Sequence, residues 1–301
     1  MQNQNWIVIA GKAEVKDTSI KYLPETYKDQ SGKDQILHAY VKSNIEFENG
    51  EIKFKAIFKD IYARCQVVFN LDNPPIIFAG INVELGLYGI AKFEASKNKI
   101  ESLSTTGLSE TLQLKKEYEI RIVVNGSIIN LFVNNVLVST AYERIAKSQL
   151  SFFFTSIEEI LIKDIDIQPK QPKAFIVMQF TEEYNQLYQE VIKPVTEEFG
   201  LMVERVDDIF TTNPIIQDIV QSLRESSIII ADITPNNPNV FYEVGYSHAI
   251  NKPTILLCER KRDKLPFDIS GFRTLFYDNT IAGKTAVEKN LRKYLEGIFR
   301  S

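Results

Sequence analysis

Two rhythms of hydrophobic and polar residues run along this chain, and one gives way to the other near residue 168. The first has a period of two. Glu51-Ile-Lys-Phe-Lys-Ala-Ile-Phe58 alternates polar and apolar, as a half-buried strand must. Residues 64–70, 76–82 and 88–93 follow in the same style, and a closing strand is expected over 159–167. Between them, strands at 118–124, 128–133 and 136–140 are separated by Asn125-Gly126 and Asn134-Asn135. These pairs supply the positive-φ backbone of tight hairpins. Many short strands and no helical stretch predict an antiparallel sandwich over residues 1–168.

The rhythm changes at Gln168-Pro-Lys-Gln-Pro-Lys173, whose two prolines make residues 169–173 a short stiff linker. Over 174–301 strands and helices alternate. Ala174-Phe-Ile-Val-Met178 is an apolar run suited to a buried parallel strand. A helix capped by Thr181 carries Tyr184, Leu187, Tyr188, Val191, Ile192, Val195 and Phe199 at helical spacing and ends at Gly200. Further strands are expected at 201–206, 227–233, 253–259 and 273–278. Helices follow Asn213-Pro214, over 240–250, and over 285–299 with Thr285-x-x-Glu288 as a capping box. Five strands with right-handed crossovers predict a flavodoxin-like parallel sheet of order 2-1-3-4-5. Its ligand crevice then lies between the loop Gln179-Phe180-Thr181 and the loop over 232–239.

Composition narrows the function classes. The 301 residues carry a net charge of -4 and show no Lys/Arg run, which argues against nucleic acid as a partner. No apolar stretch reaches the roughly 20 residues of a membrane span, and the N-terminus lacks a secretory pattern, so a cytoplasmic protein is expected. Two cysteines and two histidines cannot build a Cys/His zinc site or a disulfide framework. Asp72, Asn73 and Asn82 have cation-binding side chains, but turns account for them. Gly283-Lys-Thr285 looks like the end of a phosphate-binding loop, yet the first glycine of that motif would fall on Asp278.

The chemistry is densest from Ala231 to Ala249. Asp232 ends a central strand. Asn239 is read as a helix cap, which puts Glu243 in the first turn, where the dipole favours an ionised carboxylate. Such a carboxylate beside a sugar C1′ can stabilise an oxocarbenium-like transition state or attack it. Gly245 is read as allowing close approach of the helix to the sheet. Phe180, Phe241 and Tyr242 are candidate base-stacking rings. The alternative is that Glu243 merely complements the dipole and the asparagines merely turn the chain. Arg205, beside Asp207 and Asp208, reads as a structural ion pair or a phosphate ligand. His248 and Cys258 read as core residues, and Arg260-Lys-Arg262 as a solvated loop.

Residues 118–138, with their Tyr-x-Ile-x-Ile run, Asn-Gly turn and Leu-Phe-Val-Asn-Asn run, resemble a concanavalin-like (laminin-G-like) jelly roll. That implies a contact, oligomerisation or glycan-binding module. The stretch 174–278 resembles the bacterial nucleotide-binding family related to TIR domains and nucleoside 2-deoxyribosyltransferases. The resemblance rests on Phe175-Ile-Val-Met-Gln-Phe180, Glu190-Val-Ile-Lys-Pro194, Arg205-Val-Asp-Asp208 and Ala231-Asp-Ile-Thr234. Asn237-Pro-Asn-Val-Phe-Tyr-Glu-Val-Gly-Tyr246 and Leu265-Pro-Phe-Asp-Ile269 complete it. It implies Glu243 as catalytic carboxylate, assisted by Asp232. Met178, Gln179, Phe180, Arg205, Asp208, Thr234, Asn237, Asn239, Tyr242 and Gly245 would surround the substrate. The implied reaction is cleavage of the glycosidic bond of NAD or a related nucleotide, with no separate cofactor, in a homo-oligomer acting in bacterial antiphage defence or signalling. Two departures stand out. Asn237 occupies the position of the deoxyribosyltransferase aspartate, and the tryptophan of the TIR turn is absent, Trp6 being the only one. A non-catalytic nucleotide sensor, a deoxyribosyltransferase and a glycan-recognition protein are the rival readings.

Overall fold

Alternation along the first half produces strands whose apolar sides close over one another. The computed structural model describes residues 4–29, 31–208, 214–262 and 264–299. It divides into two compact units, Met1–Val124 with Ile128–Lys170 and Asn125–Ser127 with Gln171–Ser301. The first unit begins with β1 (Trp6–Ala10), β2 (Ala13–Lys16), β3 (Ser19–Tyr22), β4 (Glu25–Lys28) and β5 (Asp34–Leu37). It continues with β6 (Ala39–Phe47), β7 (Gly50–Phe58), β8 (Arg64–Phe69), β9 (Ile76–Val83), β10 (Gly86–Glu94) and β11 (Lys99–Thr106). It ends with β12 (Glu117–Asn125), β13 (Ile128–Val133), β14 (Val136–Tyr142), β15 (Ser148–Thr155) and β16 (Ile160–Pro169).

These form a jelly-roll sandwich of two seven-stranded sheets, ordered β1-β6-β15-β8-β9-β10-β11 and β14-β13-β12-β7-β16-β3-β2. A separate ribbon pairs β4 with β5. In β7 every second residue, Ile52, Phe54, Ala56 and Phe58, is fully buried. Across the core, Phe152 meets Phe54 edge-on at 5.1 Å and stacks on Phe154 at 5.9 Å. Asn134 and Asn135 both adopt positive φ, as their hairpin requires. The turn before β13 falls on Gly126-Ser127, one residue later than read, with Gly126 at φ +59°. The strands β1 to β6, β11 and β15 were not expected. In β6 a serine sits among the inward residues, and β11 is largely exposed, so the apolar contrast is weak. Asn82 uses its amide on the carbonyls of Ile61 and Ala63, each at 2.8 Å, and accepts from the Ser109 hydroxyl at 2.7 Å. Asp72 pairs with Lys42. Among the described residues no group of three or more His, Cys, Asp or Glu is arranged to hold a metal.

The second unit is a five-stranded parallel sheet. Its strands are β17 (Lys173–Val177), β18 (Met202–Arg205), β19 (Ile228–Asp232), β20 (Thr254–Glu259) and β21 (Thr274–Tyr277), hydrogen-bonded in the order β18-β17-β19-β20-β21. Since β16 runs to Pro169 and β17 starts at Lys173, only three residues of the expected linker lie outside strands. The helices are α1 (Glu182–Leu187), α2 (Lys193–Glu197), α3 (Ile215–Glu225), α4 (Pro238–Ala249), α5 (Phe267–Ser270) and α6 (Ile281–Phe299). Residues 188–192 form a π turn between α1 and α2. Pro194 follows it, and a proline cannot donate backward or tolerate a tight preceding turn.

Strand parity sorts the sheet into two faces. Ala174, Ile176, Ile228 and Ile230 pack with residues of α1, α2 and α6, while Phe175, Val177, Ile229 and Ala231 pack with those of α3 and α4. Three expected helix starts move. Asn213 lies outside the described residues, and Pro214 occupies the cap position rather than the first turn. The last helix begins at Ile281, so Thr285 is inside it and forms no capping box; Thr280 instead accepts from the Gly283 N–H at 3.0 Å. Asn237, not Asn239, caps α4. None of the described helices is long and apolar enough to cross a membrane.

Because Phe152 is fully buried among the rings of Trp6, Phe54 and Phe154, Phe152→Ala is expected to destabilise the sandwich by about 3–5 kcal/mol in urea unfolding. A loss below about 1 kcal/mol would show that this site is not part of a close-packed core.

Candidate functional site

The carboxyl ends of the parallel strands carry a hydrogen-bonded cluster of buried polar side chains. Asp232, the last residue of β19, is fully buried. It accepts from the Tyr277 hydroxyl at 2.8 Å and from the Thr234 N–H at 3.0 Å. Burial pushes its carboxyl up to about 6, against the pull of those two donors. Burial and the neighbouring Asp232 raise Tyr277 well above the ordinary tyrosine range. Thr234 completes the cluster: its hydroxyl lies 3.3 Å from the Tyr277 hydroxyl and accepts from the Glu259 N–H at 2.9 Å. Tyr277 escaped the sequence reading. Once the strand order is known, however, a tyrosine ending the outer strand stands level with the other strand ends.

Beyond this cluster the chain turns into α4. The Asn237 side chain accepts from the Asn239 N–H at 3.0 Å, and Pro238 takes the first helical position. Glu243 therefore lies in the second turn, where the helix dipole acts on it more weakly than expected. The second expectation that fails is Gly245. It is exposed, and a Cβ there would meet nothing within 4 Å, so it plays no part in helix–sheet approach. Val240, Val244 and Ser247 take the buried side instead.

Glu243 itself is half-buried and has no hydrogen bond or ion pair among the described residues. Burial alone pushes its carboxyl up to about 7. Asp232 follows Ile228 and Ile230 in strand parity, on the face that packs with α1 and α6, whereas α4 packs on the other face. The structure thus brings Asp232 together with Tyr277 and Thr234, and not with Glu243.

The remaining predicted residues divide. Met178 is buried in the core between the sheet and α1. Gln179 is half-buried, and the rings of Phe180 and Tyr242 are 48% and 51% exposed. Arg205 is buried and saturated. It forks onto Asp207, donates to Asn185 Oδ1 at 2.8 Å, and lies 4.3 Å from the Tyr188 ring centroid and 5.0 Å from that of Phe180. This is the ion-pair alternative, extended by aromatic packing, and it leaves little of the guanidinium for a phosphate. The Asp208 side chain lies outside the described residues.

Arg262 overturns the solvated-loop reading. Its Nη1 donates to the carbonyls of Ile233, Thr234 at 2.9 Å and Pro235 at 3.2 Å, while Nε donates to Lys264 O at 3.0 Å. The guanidinium also lies 5.4 Å from the Phe241 ring centroid. His248 is half-buried and stacked on Phe272 at 4.0 Å, rather than hydrogen-bonded in the core. Cys258 is buried, with its thiol pushed up to about 11 by burial.

No family model and no curated protein matches the chain. Among solved structures, similarity to the sandwich unit is found in carbohydrate binding module CBM66 from Bacillus subtilis. That match is 12% identical and covers 53% of this chain and 92% of that one, with a TM-score of 0.41. A galectin-like protein of unknown function from Bacillus subtilis is 8% identical over 54% of this chain and 87% of that one, with a TM-score of 0.38. A prokaryotic beta-1,3-1,4-glucanase (lichenase) from a mouse hindgut metagenome is 10% identical over 55% and 92%, also at 0.38.

The raised Glu243 makes a stability prediction. An acid whose folded value lies above its unfolded one weakens the fold once it ionises, so wild type loses stability between about pH 4.5 and 7 relative to Glu243→Gln. Thermal or urea unfolding at pH 8 should find the variant more stable by on the order of 1–3 kcal/mol, with no gain at pH 4. An equal effect at both pH values would contradict the desolvated carboxyl.

Proposed function

We propose that the α/β unit is an N-glycosidase that hydrolyses the nicotinamide–ribose bond of NAD, or the equivalent bond of a related nucleotide, with Glu243 as its carboxylate. The observation that supports this most is the state of that side chain, half-buried yet without a partner among the described residues. Glutamates at such depth are ordinarily paired, because an unpaired buried charge is costly. One left unpaired is available to a ligand.

The chemistry needs only one carboxylate. As the C1′–nitrogen bond breaks, its electron pair moves into the pyridinium ring and nicotinamide leaves neutral. The ionised Glu243 stabilises the positive charge developing at C1′, or captures it as a glycosyl ester. Water then adds its oxygen to C1′ and loses a proton, so that NAD and water give ADP-ribose, nicotinamide and a proton. A purine nucleoside differs in that its leaving base must be protonated. At the aspartate position of the deoxyribosyltransferases, Asn237 caps a helix, and Asp232 is bonded to Tyr277. This favours NAD over deoxyribosyl transfer.

In this reading the unit keeps the flavodoxin-like arrangement and TIR-related ancestry that the motifs imply. Phe180 and Tyr242 would offer rings to the base. The sandwich would act as a sensing or assembly module, with a protein or glycan as its partner. NAD depletion would suit an effector of bacterial defence or signalling. A second reading, nucleotide sensing without turnover, is favoured by the burial of Asp232, which leaves Glu243 without a second acid.

Incubating the full chain with NAD and with a panel of ribo- and deoxyribonucleosides tests the substrate class. NAD should yield equal amounts of nicotinamide and ADP-ribose while the nucleosides stay intact. The rate should climb as pH rises through about 7 and level off above it, because the ionised form of Glu243 does the work. Nucleosides cleaved as fast as NAD, or a rate falling as pH rises through that range, would contradict the proposal.

A further inference from the structure

The second unit has a cleft of about 930 Å³ beside the loops that leave β19 and β20, lined by Thr234, Asn236, Arg262, Lys264, Phe267 and Ser270 among others. Its charge is one-sided: two cations and no carboxylate line it among the described residues. One of those cations is held rigidly. Four hydrogen bonds from Nη1 and Nε of Arg262 grip backbone carbonyls, while Nη2 has no hydrogen bond among the described residues. A guanidinium fixed on one edge with its other terminal nitrogen free is preorganised for an oxyanion. The Lys264 ammonium has no ion pair or hydrogen bond among the described residues, although its backbone carbonyl serves Arg262. Phe267 presents a ring that is 91% exposed, and the exposed Asn236 side chain also has no hydrogen bond among the described residues.

We infer that this cleft binds a nucleoside phosphate, its phosphate taken by Arg262 Nη2 and Lys264 and its base laid against Phe267. Two cations, with no carboxylate among the described lining residues, favour an anion. A large exposed aromatic ring beside them selects a flat apolar group, and stacking on such a ring is tolerant of base identity. The volume accommodates a nucleotide and exceeds what a bare phosphate needs. The site does not depend on the glycosidase reading, since none of its contacts involves Glu243. It bears on the same loop nonetheless. Arg262 grips residues 233–235 and faces Phe241 in the first turn of α4, so a ligand drawing on its free edge pulls on the segment that sets α4.

Calorimetric titration of the full chain with ADP, adenosine and inorganic phosphate tests the assignment. The variants are Lys264→Glu and Phe267→Ala, both at exposed positions, with Glu243→Gln and Phe180→Ala as controls. ADP should bind more tightly than adenosine or phosphate alone, and more weakly as salt rises. Lys264→Glu should weaken ADP binding by about tenfold or more and Phe267→Ala by several-fold. Glu243→Gln and Phe180→Ala should leave it unchanged. ADP affinity unaltered by Lys264→Glu, or lost in Phe180→Ala, would place the nucleotide elsewhere and overturn the inference. Adenosine binding as tightly as ADP would overturn the phosphate half of it, and phosphate binding as tightly as ADP the stacking half. Absence of ADP binding would overturn all of it. Nicotinamide release from saturating NAD by wild type beside Glu243→Gln tests the glycosidase reading without reference to this cleft, so this inference and that reading fail separately.

Discussion

The 2.8 Å hydrogen bond from the Tyr277 hydroxyl to the Asp232 carboxyl, fully shut away from water on the aspartate side, fixes where the chain leaves the parallel sheet. A buried carboxyl without donors would be costly, so Tyr277 and the Thr234 N–H are obligatory partners. Thr234 then has a set position, from which its hydroxyl receives the Glu259 N–H of the neighbouring strand. Arg262 grips the next three carbonyls, and Asn237 caps the helix that begins immediately afterwards. The height and direction of α4, and with them the position of Glu243, follow from this chain of short-range bonds.

Polar groups in this unit fall into two kinds. Asp232, Tyr277, Thr234 and Arg205 have their hydrogen bonds met internally and hold backbone or aromatic rings in place. Glu243, the Nη2 edge of Arg262 and the Lys264 ammonium have no such partners among the described residues. The first kind costs little once satisfied and stiffens the fold. The second weakens the fold slightly, and such groups are where a ligand gains most. The carboxylate is carried by α4 and the two cations by the segment between β20 and α5, of which Arg262 is bonded to the loop that leads into α4.

Strand alternation was legible where large apolar residues occupied every second position without interruption, as in β7, and the asparagine pair Asn134-Asn135 marked its turn correctly. It was less legible where a serine interrupts the inward residues, as Ser43 does in β6, or where a strand such as β11 is largely exposed. In the parallel unit the buried runs stood out because both faces are covered. The start of α4 was misplaced by two residues, since three asparagines within four positions all have capping side chains and only Pro238, with its fixed φ, discriminates among them. The partners of Asp232 and Arg262 were invisible for a simple reason. They lie 45 residues away in the first case and 27 to 29 in the second, and only the strand order joins them. Glu243 could be picked out by type and by its neighbours, but its lack of a partner is a property of the fold.

The most direct test of Glu243 as the reactive carboxylate is nicotinamide release from NAD by the purified chain at high protein concentration, beside Glu243→Gln prepared identically. The account predicts steady release by wild type and a loss on the order of a hundredfold or more in the variant, with folding intact. Equal release by both proteins, or none by wild type across the concentration range, would contradict it.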